Sequence, residues 1–395
     1  MSAVAHATLD IPLRDRMLYG AGRVSELPHL VRELGGRHAF VVTDPGVARA
    51  GIAARVHEVL DAGGITTHVH AEVDANPGAA SIVRGSEALA LFGTTQTVVV
   101  AVGGGSSMDS AKAISLHAIN GGEVLALGYH REELRPGLPL IAVPTTAGTG
   151  AETNTYGVIT DEAAGRKGYV GHPSVQPRVA ILDPELTVGM PPAVTAATGV
   201  DAMTHSLESL LSRNPNPFAE GLALQVIRTV AAWLPVAVDD GSRMEARGQL
   251  LLASHLAGIG QSSGTGVGLV HAIGHALGTR GRVPHGTALA AVLPEVLAFY
   301  LEHEGLRDRE LALVGVALAA ASPADPWPDA ARVGIEALDT FLRRVGQRPT
   351  LAALGVDEAL IPVIALDAVD DAAIANSPRL PDQAQVEAIL RAVAA

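Results

Sequence analysis

The chain has 395 residues, a length that predicts two domains rather than one core. Its 28 basic against 41 acidic residues, a sum of −13, with no basic patch, exclude a partner gripped through a nucleic-acid backbone, and the lack of cysteine excludes disulfides, thiolate metal sites and a cysteine nucleophile. Aromatics are 3% against 48% hydrophobic residues, so Ala, Val, Leu and Ile must fill a core of helices packed on a sheet.

The opening MSAVAHATLDIPLRDR has neither the basic start nor the apolar run of an export signal. The longest aliphatic run, 311–321, falls short of the roughly 18 residues a membrane span needs. A cytoplasmic protein without membrane or nucleic-acid partners is the expectation.

Through residue 185, short β-branched runs alternate with amphipathic stretches. The runs are HAFVVTD (38–44), TTHVHAEV (66–73), TVVVAVGGGS (97–106), LPLIAVPTT (138–146) and RVAILDP (178–184), with helical patterns at 47–62 and 79–92. That alternation predicts a doubly wound parallel sheet covered on both faces, an α/β dinucleotide-binding domain over 1–188.

Within it, VVVAVGGGSSMDSAKAI reads strand, glycine turn, helix, the helix opening at about Ser107. Gly103, Gly104 and Gly105 expose backbone N–H groups, and a helix start there favours a phosphate. It is not GxGxxG, and alone it is equally a tight connection. A second turn, PTTAGTGAE (144–152), follows another apolar strand, and ligands of open α/β sheets bind beyond such strand ends. Together the two turns predict a pyrophosphate site. Asp44, ending its strand, is either the partner of a ribose 2′-hydroxyl, favouring NAD over NADP, or a helix cap ahead of Pro45.

After Met190-Pro191-Pro192, read as a linker, the period is 3.6, at 218–234, 244–259, 311–321 and 330–345. An all-α domain over 189–395 is expected. ATGVDAMTHSLES sets Asp201 and His205 on one face of a helix beginning just after Gly199, as metal ligands or as an ordinary salt bridge. GLVHAIGHALGTRGRVPHG (268–286) adds His271, His275 and His285. A single buried histidine is usually a hydrogen-bonded core residue, but three in an apolar, glycine-rich helix beside a D-x-x-x-H pair point to a metal. Imidazole with carboxylate suits Fe²⁺, Mn²⁺ or Zn²⁺ over Mg²⁺ or Ca²⁺. Ala272 stands where an HExxH protease has its glutamate, which excludes peptide hydrolysis.

GGGSSMDSAKAI, PTTAGTGAE, GVDAMTHSLES and the 268–286 segment together resemble the iron-dependent (group III) alcohol dehydrogenases over nearly the whole chain. The resemblance implies the dehydroquinate synthase-like fold, with a catalytic metal in a cleft between a dinucleotide-binding and a helical domain. It implies Asp201, His205, His271 and His285 as metal ligands, Fe²⁺ or alternatively Zn²⁺ or Mn²⁺. His275 becomes an active-site histidine that relays the hydroxyl proton or only shapes the pocket. Gly103, Gly104, Gly105, Ser106 and Asp109 match the phosphate loop, Thr145 and Thr146 the second cofactor loop together with Thr149, Lys167 a cofactor-proximal lysine, and Asp44 the NAD-selecting carboxylate. The implied reaction is hydride transfer between nicotinamide C4 and an alcohol or carbonyl polarised by the metal, in a homodimer or larger homo-oligomer.

Two stretches depart from the family pattern. AGIGQSSGTGVG carries Gln261 where an aromatic is usual and is one residue longer, and Thr279-Arg280-Gly281-Arg282 replaces an aromatic followed by His or Asn. Gln261, Arg280 and Arg282 therefore become candidate substrate contacts. Arginine suits an anionic substrate, a semialdehyde or phosphonoacetaldehyde, unless both arginines are solvated or in salt bridges. The alternatives are a neutral short-chain alcohol or diol, and a cyclising lyase of the dehydroquinate-synthase type that also uses NAD and metal.

Overall fold

The structure is a computed structural model describing residues 16–128, 131, 133–162, 166–303 and 307–395, so most of the opening segment lies outside the described residues. The chain forms two compact units, one ending at Met190 and one running from Pro191 to Ala395.

The first unit contains, in order, β1 (Arg16–Tyr19), α1 (Leu27–Glu33), β2 (His38–Val42), α2 (Pro45–Arg49), α3 (Ile52–Ala62), β3 (Thr66–His70), α4 (Ala79–Phe92), β4 (Thr97–Gly103), α5 (Gly105–Asn120), β5 (Leu140–Pro144), β6 (Tyr156–Asp161), β7 (Arg166–Gly171) and β8 (Val179–Leu182). Six strands make one parallel sheet in the order β1-β8-β5-β4-β2-β3. The continuous apolar runs are explained by burial on both faces. Val98, Val100 and Val102 pack with Leu27, Leu30 and Val31 of α1 and Val56 and Leu60 of α3, whereas Val99 and Ala101 pack with Ile82 and Leu89 of α4 and Met108 and Ile114 of α5. The strand order reverses between β2 and β4, so their carboxyl ends flank the topological switch point where such sheets bind ligands.

Three features of this unit differ from expectation. β1 is only four residues long and gave no readable alternation. β6 and β7 form a separate antiparallel pair, whose Tyr156 and Tyr169 rings meet edge to face at 5.5 Å. The pattern at 47–62 is two helices, because Gly51, at φ 81°, leaves the helical region between α2 and α3.

The second unit is helical: α6 (Pro192–Leu211), α7 (Pro217–Asp239), α8 (Met244–Gly260), α9 (Leu269–Arg280), α10 (His285–Leu301), α11 (Asp308–Ala317), α12 (Trp327–Arg344), α13 (Ile361–Val369) and α14 (Gln383–Ala392). The helix carrying Asp201 starts at Pro192, not after Gly199. The proline pair read as a linker is its N-terminus, where a missing N–H costs nothing. The 268–286 segment is not one helix: it spans α9 and the first turn of α10, so His271 and His285 arrive from different helices. Between α8 and α9 the chain makes a single π-helical turn, Gln261–Thr265, at the stretch that reads one residue long. α7, at 23 residues, is long and apolar enough to cross a membrane, beyond the aliphatic run found in the sequence. Its buried face, Ala219, Ala223, Val226, Ile227, Val230 and Leu234, packs in this unit against α6 and α8.

Candidate metal centre and cofactor loops

At the carboxyl end of β4, Gly103 turns at φ 151° and Gly104 leads into α5, which opens at Gly105, two residues before the expected start. No side chain caps that helix, so its first N–H groups remain available to an anion. β5 is the neighbour of β4, and the two loops read separately from the sequence are side by side: Thr145 N–H donates to Gly103 O at 3.0 Å. A Cβ on Gly103 would lie 2.3 Å from Ser107 Oγ, one on Gly104 3.1 Å from Thr146 Oγ1 and one on Gly105 2.9 Å from Thr149 Cγ2. Gly103, with positive φ and the shortest of these distances, requires glycine, and the three positions together leave a backbone-lined cradle suited to a pyrophosphate.

Asp44 sits at the end of β2, across the switch point. The structure shows the cap of the two sequence readings: Oδ1 caps α2, accepting from Gly46 N at 2.8 Å and Val47 N at 3.0 Å, while Oδ2 accepts from Ser107 Oγ at 3.0 Å. Asp109 lies on the first turns of α5 beside β6. Burial pushes its carboxyl up to about 6, with Lys112, the Val158 N–H and Lys167 pulling the other way. Lys167 Nζ donates to Asn76 Oδ1 and Thr160 Oγ1, both at 3.0 Å, and burial lowers its pKa against the opposing charge of Asp109. Lys112, which sequence reasoning missed, is fully buried and donates to Ala151 O at 2.6 Å and Tyr156 O at 2.8 Å, bracing the end of the second loop against α5. Its signal was the lysine closing GGGSSMDSAK.

In the helical unit, three imidazole nitrogens surround one carboxylate oxygen. Asp201 Oδ1 lies 3.4 Å from His205 Nδ1, 3.6 Å from His271 Nε2 and 3.7 Å from His285 Nε2. These separations are too long for good hydrogen bonds. They are close to the spacing, about 3.4 Å, of two ligand atoms on one ion held at about 2.1 Å. Asp201 Oδ1 and His271 Nε2 are fully buried without a hydrogen-bond partner, the state of ligand atoms aimed at a cation rather than at each other. Asp201, His271 and His285 offer atoms all within 4.8 Å of one another; His205, one helical turn from Asp201, adjoins that group, its ring 4.6 Å from that of His271.

The electrostatics suit a cation. Burial alone would raise the Asp201 pKa, but His205, His271 and His285 hold it well below the usual carboxylate range. Desolvation first, then the neighbouring imidazoles, drive His285 down against the pull of Asp201. Burial would also lower His271, yet Glu208 and Asp201 raise it to about 9. One imidazolium thus faces two carboxylates.

Glu208 is the largest omission of the sequence reading. It stands seven residues after Asp201 on α6, buried, with Oε2 2.6 Å from His271 Nδ1. Its only signal was the glutamate in THSLES, two turns beyond Asp201 and about one beyond His205. His275 stands off the group, its Nδ1 3.0 Å from Asp371 Oδ2 and its ring stacked on that of His285 at 5.6 Å. Asp371, also unread in the sequence, is fixed by accepting from Ala373 N at 2.8 Å. Arg280 forms a two-pronged pair with Asp367, at 2.5 and 3.2 Å, the salt-bridge alternative of the sequence reading. Arg282 is exposed, at φ 55°, with no hydrogen bond or ion pair among the described residues. Gln261 is buried in the π-helical turn, where its carbonyl accepts from Gly266 N at 3.1 Å.

Residues 15–184 match the iron-containing alcohol dehydrogenase family and residues 195–394 its C-terminal family. The chain is 38% identical to the probable alcohol dehydrogenase EutG of Salmonella typhimurium, over 93% of this chain and 90% of that protein. It is 34% identical to the lactaldehyde reductase of Escherichia coli K12, over 93% and 94%. Among solved structures, a 1,3-propanediol oxidoreductase superposes with a TM-score of 0.92 at 31% identity, covering 98% of this chain and all of that one, 100%. Two adjoining backbone loops at a switch point and a carboxylate ringed by imidazoles agree with these matches: the chain belongs to the iron-containing alcohol dehydrogenase family and is a metal-dependent, nicotinamide-linked oxidoreductase of small alcohols and carbonyl compounds.

Proposed function

We propose that residues 1–188 carry the nicotinamide cofactor and residues 189–395 the metal, and that the enzyme reduces a small neutral aldehyde or ketone, or oxidises the matching alcohol or diol. The observation that carries the metal assignment is the buried pair of unpartnered atoms, Asp201 Oδ1 and His271 Nε2, converging with His285. His205 completes a four-residue set, and Fe²⁺ is the expected ion, with Zn²⁺ or Mn²⁺ as substitutes. When bound, the ion supplies a Lewis acid toward the substrate oxygen and the nicotinamide supplies or accepts the hydride.

The chain's own residues do the rest. Gly103, Gly104, Gly105, Ser106, Thr145, Thr146 and Thr149 hold the pyrophosphate. Asp109 and Lys167 sit toward the nicotinamide end, and Asp44 selects NAD(H) over NADP(H) by repelling a 2′-phosphate. His275, held by Asp371, relays the hydroxyl proton. A cytoplasmic homo-oligomer, dimer or larger, is part of the same reading.

A neutral substrate is favoured because Arg280 already grips Asp367. The relatives named for lactaldehyde and 1,3-propanediol agree with a short hydroxylated compound and give no support to a cyclising lyase. An anionic substrate, such as a semialdehyde or phosphonoacetaldehyde, is supported by Arg282, three residues before His285, whose guanidinium is uncommitted among the described residues, and by the likeness to a solved sulfoacetaldehyde reductase from Bifidobacterium kashiwanohense at 25% identity. The test is NADH oxidation at 340 nm with lactaldehyde, 3-hydroxypropanal, succinic semialdehyde and phosphonoacetaldehyde, in wild type and Arg282→Ala. Preference for the neutral pair, unmoved by the substitution, is the expected result. A preference for the anions that Arg282→Ala abolishes would replace this reading with the anionic one.

A further inference from the structure

Glu208 uses both carboxylate oxygens on one short piece of chain. Oε2 accepts from Gly268 N at 2.8 Å and lies 2.6 Å from His271 Nδ1; Oε1 accepts from Val270 N at 2.7 Å and lies 3.4 Å from His271 N. Every one of these neighbours is an N–H donor, so the site demands an acceptor-only group, an ionised carboxylate. A glutamine would turn its NH₂ either toward the Gly268 N–H and the His271 ring or toward the backbone N–H groups of Val270 and His271.

The backbone is cut to admit it. Gly268 precedes α9, and a Cβ there would lie 3.2 Å from Glu208 Oε1 and 3.1 Å from Ser377 Oγ. The carboxylate therefore caps the α9 N-terminus, where the helix dipole favours an anion, and grips the ring of the third residue of that helix.

We propose that Glu208 is the positioning residue of the metal centre: by taking the Nδ1–H of His271 it fixes the imidazole tautomer and ring plane so that Nε2 presents its lone pair beside Asp201 Oδ1. A carboxylate behind a ligand histidine also makes that ligand more basic, and losing such a partner typically weakens metal affinity about 10- to 100-fold. The single carboxylate couples two events, closure of the α9 N-terminus and orientation of a ligand. This inference rests on the metal assignment above.

The test uses the full-length protein stripped of metal, with Zn²⁺ affinity measured by chelator competition and the visible spectrum of the Co²⁺-loaded form as a readout of ligand geometry. Far-UV circular dichroism and thermal unfolding report whether each variant is folded. Glu208→Gln is expected to bind Zn²⁺ about 10- to 100-fold more weakly, with a shifted Co²⁺ spectrum and unchanged NADH affinity. Glu208→Asp, which keeps the charge, is expected to regain part of that loss, which a purely structural role would not predict. Should Glu208→Gln fail to fold, Gly268→Ala keeps the carboxylate but crowds it, and a several-fold weaker Zn²⁺ affinity with an altered Co²⁺ spectrum is expected. Wild-type Zn²⁺ affinity and Co²⁺ spectrum in a folded Glu208→Gln, or in Gly268→Ala if that is the variant that folds, overturn the proposal. If the wild type itself binds neither ion, the metal assignment fails instead.

Discussion

The two units build their sites from different materials. The cofactor loops are mostly backbone: glycine N–H groups at the end of β4 and the start of α5, set against the Thr145–Thr149 turn by strand pairing. The candidate metal centre is entirely side chain, presented from α6, α9 and the first residue of α10. A backbone site tolerates changes in its side chains but no added Cβ. A side-chain site is the reverse, since its helices can stay intact while one missing atom empties it.

That contrast orders the expected effects. The largest comes from the side-chain site. Asp201→Ala removes the oxygen to which three imidazoles point, and loss of a Lewis acid worth several kcal/mol lowers turnover by about 10³-fold or more. NADH affinity, measured by fluorescence titration, stays at the wild-type value. Next is the mirror experiment: Gly103→Ala sets a Cβ 2.3 Å from Ser107 Oγ at φ 151°. Strain of about 1–3 kcal/mol is expected to weaken NADH binding about 10-fold or more, with Zn²⁺ affinity intact. If either variant damages both ligands equally, the separation of the two sites is wrong.

The pH dependence sharpens the same contrast. In the metal-free protein His271 is raised from 6.5 to about 9, so its pairing with Glu208 stabilises the fold fully below pH 6.5 and is lost as the pH rises through 9. An ion must displace that proton. Zn²⁺ affinity is therefore expected to rise by about tenfold per pH unit between 7 and 8.5, with about one proton released per ion in a weakly buffered calorimetric titration. NADH affinity should show no such slope. A flat metal profile would mean that His271 is neutral before the ion arrives.

Smaller effects belong to residues with local duties. Asp44→Ala removes the α2 cap and the Ser107 contact, for a loss of about 0.5–2 kcal/mol in chemical denaturation. The same substitution should narrow the NADH-over-NADPH preference in the 340 nm assay; an unchanged preference would leave Asp44 as a cap alone. Arg280→Ala breaks an exposed pair with Asp367 and should cost no more than about 1 kcal/mol, without altering discrimination between neutral and anionic aldehydes.

What the sequence disclosed follows from the same difference in materials. Glycine turns after apolar runs marked the two loops that meet beside the switch point, where Gly103 has no room for a Cβ, and the D-x-x-x-H spacing set Asp201 and His205 on one face of α6. The runs at 38–44, 97–106 and 178–184 became strands because alternate residues meet helices on opposite faces of the sheet. β1 escaped notice, since four residues are too few to show a period, and the β6–β7 pair was missed because its pattern lies among glycines and charges. Glu208 and Asp371 were invisible for another reason: each is defined by a partner far along the chain, His271 and His275, and a lone acid on a helix or in a turn looks like any solvated charge. The boundary between α9 and α10 was hidden too, because His275 and His285 read as one histidine run until Val283-Pro284 is seen to start a new helix.

The central claim is that this chain performs metal-dependent hydride transfer through the Asp201-centred site. Its most direct test is NADH oxidation by a short hydroxyaldehyde at 340 nm, with chelator-stripped wild type and Asp201→Ala assayed before and after adding Fe²⁺ or Zn²⁺ under anaerobic conditions. The account predicts no turnover without metal, turnover in wild type once metal is restored, and none in Asp201→Ala at any metal concentration that wild type needs. Equal rates with and without metal, or full activity in Asp201→Ala, would contradict it.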